Sequence, residues 1–243
     1  MLSLKKSILN GCVIALTALS LCGYAQSSGT IPAKRAIDYD WMSVSTWDKM
    51  HAEDVLVAQF DQVDVLFVGD SITAGWDWQI WETHFRPLKS ANFGIGGDHT
   101  GNLLWRLQHG AIGNLQPKVI VLLIGVNNFG HLQETPQQVA AGVTGVVSQL
   151  QLAWPNSKIL LNGVFPYGQL AGEASRTKVK QLNKIIAKLD DGKTIFFKNY
   201  GPLLLQKNGD IAPDIMGDYL HPTSKGYQIW ADALLPDLQQ LLQ

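Results

Sequence analysis

Four side chains in this sequence carry the atoms that an acyl transfer needs, and they lie far apart along it. Ser71 follows an apolar run in "VDVLFVGDSITAGWDW", Val63 to Trp78. Asn127 follows a second run in "KVIVLLIGVNN". Asp218 and His221 stand three residues apart in "GDYLHPTSKGY". A serine hydroxyl is a weak nucleophile until a base takes its proton, and histidine can serve as that base near neutral pH. The histidine needs a carboxylate to orient it, which Asp218 provides if the two share one turn. Pro222 disfavours helical geometry at His221, so a turn or extended segment is expected there. The charge of a tetrahedral intermediate needs donors. A glycine N–H from "GIGGD", Gly94 to Asp98, and the carboxamide of Asn127 would supply them.

Each of these residues also has a plainer use. Serine is a favoured helix N-cap, an Asp and a Pro together mark helix starts, and Asn127 and Asn128 are residue types common in turns. The glycines of "GIGGD" suit a tight turn; a dinucleotide fingerprint would need glycine where His99 stands. Asp70 reads as a hydrogen-bonding residue of the turn, not as the acid partner of a histidine. No G-x-S-x-G elbow and no H-E-x-x-H zinc motif occurs.

The elements that must bring the four together are legible as an alternation. Apolar runs predict strands at Val63–Gly69, Ala91–Ile95, Lys118–Gly125, Lys158–Phe165 and Thr194–Lys198. Helical patterns fall at Thr46–Gln59, Leu103–Gln108, Pro136–Ala153, Arg176–Leu189 and Lys225–Leu242. This order implies an α/β fold of three layers, α/β/α, around a five-stranded parallel sheet. Ligands bind such sheets beyond the carboxyl ends of the strands. Ser71, the "GIGGD" glycines and Asn127 follow the first three strands, so they are expected to converge there. Trp76, Trp78 and Trp81 read either as packing or as a surface for a sugar ring or an acyl chain. Trp105 reads as core, and His84, His99, His109 and His131 as surface or structural residues, with His99 closest to the glycine turn.

The chain has 243 residues, 19 basic against 20 acidic, and 46% are hydrophobic. That suits one domain with a sizeable core, and its near-neutral charge gives no reason to expect nucleic acid. Lys5 and Lys6, an apolar run to Cys22 and then Gly23-Tyr24-Ala25 predict a cleaved export signal over residues 1–25. The alternatives are a retained anchor or ordinary helix over the same run, and a lipid anchor at Cys22. Residues 26–45 read as a tether and 46–243 as the domain. The expected location is therefore secreted or periplasmic, without stable membrane insertion after the signal is removed. Both cysteines, Cys12 and Cys22, would leave with the signal, and with them any disulfide or thiolate metal site.

At these residues the sequence resembles the GDSL/SGNH hydrolase superfamily. The blocks are "GDSI" (Gly69–Ile72), "NFGIGGD" (Asn92–Asp98), "GVNN" (Gly125–Asn128) and "DYLHP" (Asp218–Pro222). Within it the chain is similar to the catalytic subunits of intracellular platelet-activating-factor acetylhydrolase, through "DVLFVGDSI", "NFGIGGDHT", "LLWRLQHG" and "GVNNFGH". The resemblance implies a flavodoxin-like SGNH hydrolase fold with Ser71 as nucleophile, His221 as base and Asp218 as its orienting acid. It implies an oxyanion hole from the Ser71 and Gly97 N–H groups with the Asn127 side chain, hydrolysis of short acyl esters such as acetyl, no cofactor and a homodimer. The lack of a metal-ligand motif leaves metal-assisted hydrolysis without support. Val126 stands where the family usually has threonine. A small-molecule or glycan ester is the expected partner, with a carbohydrate or a lipid as the alcohol. A lysophospholipase or thioesterase for longer chains is one alternative, and a non-catalytic carbohydrate-binding module another.

Overall fold

The computed structural model describes residues 28–243. The expected signal and both cysteines lie outside the described residues. Five strands form one parallel sheet: β1 (Val65–Gly69), β2 (Ser90–Gly94), β3 (Val119–Leu123), β4 (Lys158–Asn162) and β5 (Ile195–Lys198). Their order is β2-β1-β3-β4-β5. Every residue of β1 and β3 is buried, which is why their sequences run apolar without alternation.

The helices are α1 (Val44–Phe60), α2 (Ser71–Ala74), α3 (Trp78–Ile80), α4 (Thr100–Arg106), α5 (Val126–His131), α6 (Pro136–Ala153), α7 (Ala174–Ile186) and α8 (Ser224–Leu242). The chain steps from β1 to β2 in one direction and from β2 onward in the other. Right-handed crossovers therefore put the helices of the first step on one face and those of the later steps on the opposite face. Accordingly α3 packs with α8, while α6 packs with both α4 and α7. The result is the three-layer flavodoxin-like arrangement that the sequence predicts.

The switch in direction falls at β1, the strand that carries Ser71 on its outgoing turn. In register, Gly69 is opposite Gly94 on one side and Leu123 on the other. The three expected strand ends are thus neighbours, at the place where an open α/β sheet leaves a crevice. A side chain at Gly69 would strike the Leu123 carbonyl, so the close approach of these ends requires glycine.

The segment read as a tether does not hang free. From Ser28 onward it lies on the domain: Gly29 N donates to Glu134 Oε1 at 2.8 Å, and Ala33 N to the Gly101 carbonyl at 3.0 Å. Arg35 is buried. These contacts follow no periodic pattern in the segment itself, because its partners are loops brought together by the sheet.

Candidate active site

Asp70 ends β1 in extended geometry and caps α2, its Oδ1 accepting from Ile72 N at 3.0 Å. The cap role considered for Ser71 therefore belongs to Asp70, as the turn-building reading of that residue expects. Ser71 becomes the first helical residue, whose own N–H has no acceptor within the helix. Burial pushes the Asp70 pKa up to about 7.

Ser71 Oγ lies 2.8 Å from His221 Nε2, across 150 positions of sequence. His221 Nδ1 lies 2.6 Å from Asp218 Oδ2, and the other oxygen of Asp218 accepts from His221 N at 2.7 Å and Leu220 N at 3.0 Å. The turn that allows this places Tyr219 in the left-handed region, φ 60°. Partial burial works against charge on Asp218, but the hydrogen bonds from His221 and Leu220 outweigh it and lower its pKa. Ser224, at the head of α8, donates to Asp77 Oδ2 at 2.6 Å, and Tyr227 donates from its hydroxyl to the Ile72 carbonyl at 2.8 Å. The histidine turn is thereby fastened to the serine turn.

The other wall comes from β2 and β3. Gly97 has φ 73°, a conformation that glycine adopts without cost, and a Cβ there would meet the Trp41 ring at 2.5 Å. Gly125, φ 130°, starts α5. The two asparagines that follow divide their work instead of forming a simple turn. Asn128 is fully buried and joins Thr100 to Glu134. Asn127 faces the pocket and donates one N–H to the Asp98 carbonyl at 3.0 Å. A carboxamide nitrogen carries a second N–H, so the group retains a donor.

Ser71, Gly97, Asn127, Asp218 and His221 line one pocket of about 640 Å³. All five residues expected from the sequence meet there. Its remaining walls include Trp41, Met42, Met50, Leu220 and His131, none of which the sequence singles out for this role. His99 stands just outside, where its Nδ1 caps α4 by accepting from Gly101 and Asn102 N, and burial lowers its pKa to about 4. His109 bonds through Nδ1 to the Trp105 carbonyl. Trp76 is core, stacked on Trp230 at 4.3 Å, and Trp81 packs on Phe67, while Trp78 is exposed. Trp105 is only half-buried, stacked on His109 at 4.0 Å and tilted against Trp47.

Behind the glycine turn lies a buried charge cluster. Asp98 accepts from Arg106 Nε at 2.8 Å, Trp47 Nε1 at 2.7 Å and Arg35 at 3.3 Å. Arg106 is fully buried and also holds Asp54 and the carbonyls of Gly69 and Phe93. One sequence signal pointed to it: an arginine among Leu103, Leu104 and Leu107 has to find a partner if that helix face is buried. Among the described residues no group of three or more His, Cys, Asp or Glu is placed to hold a metal ion, and no helix is long and apolar enough to cross a membrane.

The arrangement can carry a nucleophilic attack on a carbonyl, with a base at one side and donors at the other. Known proteins agree with that chemistry. The GDSL-like lipase/acylhydrolase family matches residues 67–229. Over 201 residues the chain is 35% identical to platelet-activating factor acetylhydrolase IB subunit alpha2 of Rattus norvegicus, covering 81% of this chain and 85% of that one. Its fold resembles a GDSL-like lipase from Bacteroides thetaiotaomicron, with TM-score 0.66, 22% identity and coverage of 81% and 98%. Est24, a carbohydrate acetylesterase from Sinorhizobium meliloti, superposes with TM-score 0.59 at 17% identity, over 74% of this chain and 99% of that one. The chain belongs to the GDSL-like lipase/acylhydrolase family, and it is a carboxylic ester hydrolase.

Proposed function

We propose that this esterase cleaves short acyl esters, acetyl above all, through an acyl-enzyme on Ser71. Ser71 Oγ attacks the ester carbonyl while His221 Nε2 takes its proton, and Asp218 holds the imidazole by Nδ1. The Ser71 and Gly97 N–H groups and the Asn127 carboxamide receive the developing oxyanion. His221 then gives the proton to the departing alcohol. Water enters, loses a proton to His221 and attacks the acyl-enzyme, which releases the acid and restores Ser71 Oγ–H.

The observation that carries this reading is the 2.8 Å contact between Ser71 Oγ and His221 Nε2. Ser71→Ala should lower turnover by roughly 10⁴–10⁶-fold and abolish labelling by a serine-directed phosphonate, with the far-ultraviolet spectrum unchanged. Retained turnover in that variant would overturn the assignment. The preference for acetyl is supported by what the relatives are called, an acetylhydrolase subunit and an acetylesterase. A longer acyl chain is the second reading, favoured by the apolar side chains of Met42, Met50 and Leu220 in the pocket wall. A p-nitrophenyl ester series from acetate to palmitate separates the two. The reading of residues 1–25 as an export signal adds a location outside the cytoplasm, which fractionation and the N-terminal sequence of the mature protein test.

A further inference from the structure

Trp41 is 58% exposed, yet its indole is held in place. Tyr39 stacks on it at 4.9 Å with the planes 2° apart. Tyr39 N and Met42 N donate to each other's carbonyls across a tight turn, 2.9 and 3.0 Å, and Trp41 sits at the tip of that turn. The Tyr39 hydroxyl is tied to His131 Nδ1 at 3.0 Å. Below, the guanidinium of Arg35 lies 5.3 Å from the Tyr39 ring and 6.0 Å from the Trp41 ring, and is itself anchored to the Gly96 carbonyl at 2.6 Å. Trp41 lines the pocket that holds Ser71 and His221, whereas Tyr39 does not.

No step of ester cleavage needs an indole. Leaving a tryptophan in water forgoes the stabilisation that burying it would bring. Holding it rigid removes the ordering cost that a partner would otherwise meet on binding. A flat aromatic face, backed on one side and open on the other, suits a partner that is flat and apolar on one face. A pyranose ring is such a partner: C–H bonds cover its face and hydroxyls its rim. An alkyl chain gains nothing from flatness, and Met42, Met50 and Leu220 already offer it an apolar wall. Asn127 Oδ1, which the oxyanion role leaves unused, stands in the same pocket and can accept from a ring hydroxyl.

We propose that Trp41 is the stacking platform for a pyranose ring, so that the alcohol half of the substrate is a sugar bearing the acyl group on a ring hydroxyl. This rests on the reading of Ser71 and His221 as the reacting pair of the same pocket. The test measures kcat and KM for wild type, Trp41→Ala and Trp41→Phe on three acetates: a peracetylated methyl β-xylopyranoside, propyl acetate and an acetylated long-chain glycerol ether. Trp41→Ala should lower kcat/KM on the sugar by about tenfold, mainly through KM, with propyl acetate within about twofold and Trp41→Phe close to wild type. Equal losses on the sugar and on propyl acetate would overturn the proposal, since Trp41 would then merely prop Gly97. So would an unchanged sugar rate, or a larger loss on the glycerol ether than on the sugar. If wild type and Ser71→Ala cleave all three acetates alike, the reacting pair is misassigned and the platform falls with it.

Discussion

On one side of Ser71 the pocket is backed by groups sunk in the core; on the other, Asp218 and His221 stand on a turn that water reaches. Asp98 and Arg106 have no exposed side-chain surface, while 57% of the Asp218 side chain and 40% of that of His221 are accessible. Burial pushes the Asp98 pKa up, opposed by Arg106, Trp47 and Arg35. Asp218 shows the reverse balance, with hydrogen bonds prevailing over a milder desolvation. The proposed oxyanion donors need a fixed position, and a buried charge network tied to two strand ends fixes them. The proposed base must meet an alcohol leaving and a water arriving, and an exposed turn permits both. One sheet edge serves both ends because they are built differently.

The contrast predicts which substitutions damage chemistry and which damage the fold. The largest effect is expected at the exposed side: Asp218→Asn should lower kcat by about 10⁴-fold, since the imidazole loses its orienting charge. Its thermal midpoint should barely move. Near-normal turnover would show that the carboxylate is idle. Arg106→Met should do the opposite, leaving Asp98 and Asp54 buried without their common partner and costing about 3–5 kcal/mol in urea unfolding. A loss below about 1 kcal/mol, in the range of exposed ion pairs, would erase the distinction between the two sides. Asn127→Ala should lower kcat by roughly 10²–10³, about 3–4 kcal/mol, with KM little changed. Unchanged turnover would reduce Asn127 to a strut for the Asp98 carbonyl.

The smallest effect sharpens the comparison through pH. Asp70 titrates near 7 when folded against 3.8 as its ordinary value. Between those values the unfolded chain has already lost a proton that the folded chain keeps, so stability falls as pH rises. Asp70→Asn keeps the oxygen that caps Ile72 and removes this dependence. Relative to the variant, wild type should lose up to about 1.4 kcal/mol between pH 5 and pH 6. Parallel stability profiles for the two proteins would show that Asp70 is ionised throughout.

Much of this was readable in the sequence, for reasons that differ by residue. The Pro136–Ala153 helix has the predicted limits because Thr135 caps it and proline occupies its first position. The Lys118–Gly125 prediction overran β3 at Leu123, since Ile124 and Gly125 are as apolar or small as strand residues but belong to the outgoing turn. Ser71 and Asn127 were legible because each follows a strand whose apolar pattern is strong, and the Asp218–His221 pair because it stands just ahead of the last helical pattern. Arg35, Trp41 and Met42 were not. Their segment has no periodicity of its own and takes its shape from Gly96, Gly97 and Asp98, residues some sixty positions away. His131 reads from sequence only as a surface or structural residue for the same reason, since its neighbour Tyr39 comes from that segment.

The bond between Tyr227 and the Ile72 carbonyl spans 155 positions and makes the final helix the keystone of the nucleophile's setting. During synthesis the proposed nucleophile emerges 150 positions ahead of its proposed base. An amino-terminal fragment, however well its strands assemble, would carry a hydroxyl with nothing to deprotonate it. On the proposed assignment, hydrolysis begins only once the segment from Asp218 onward has docked on the serine turn.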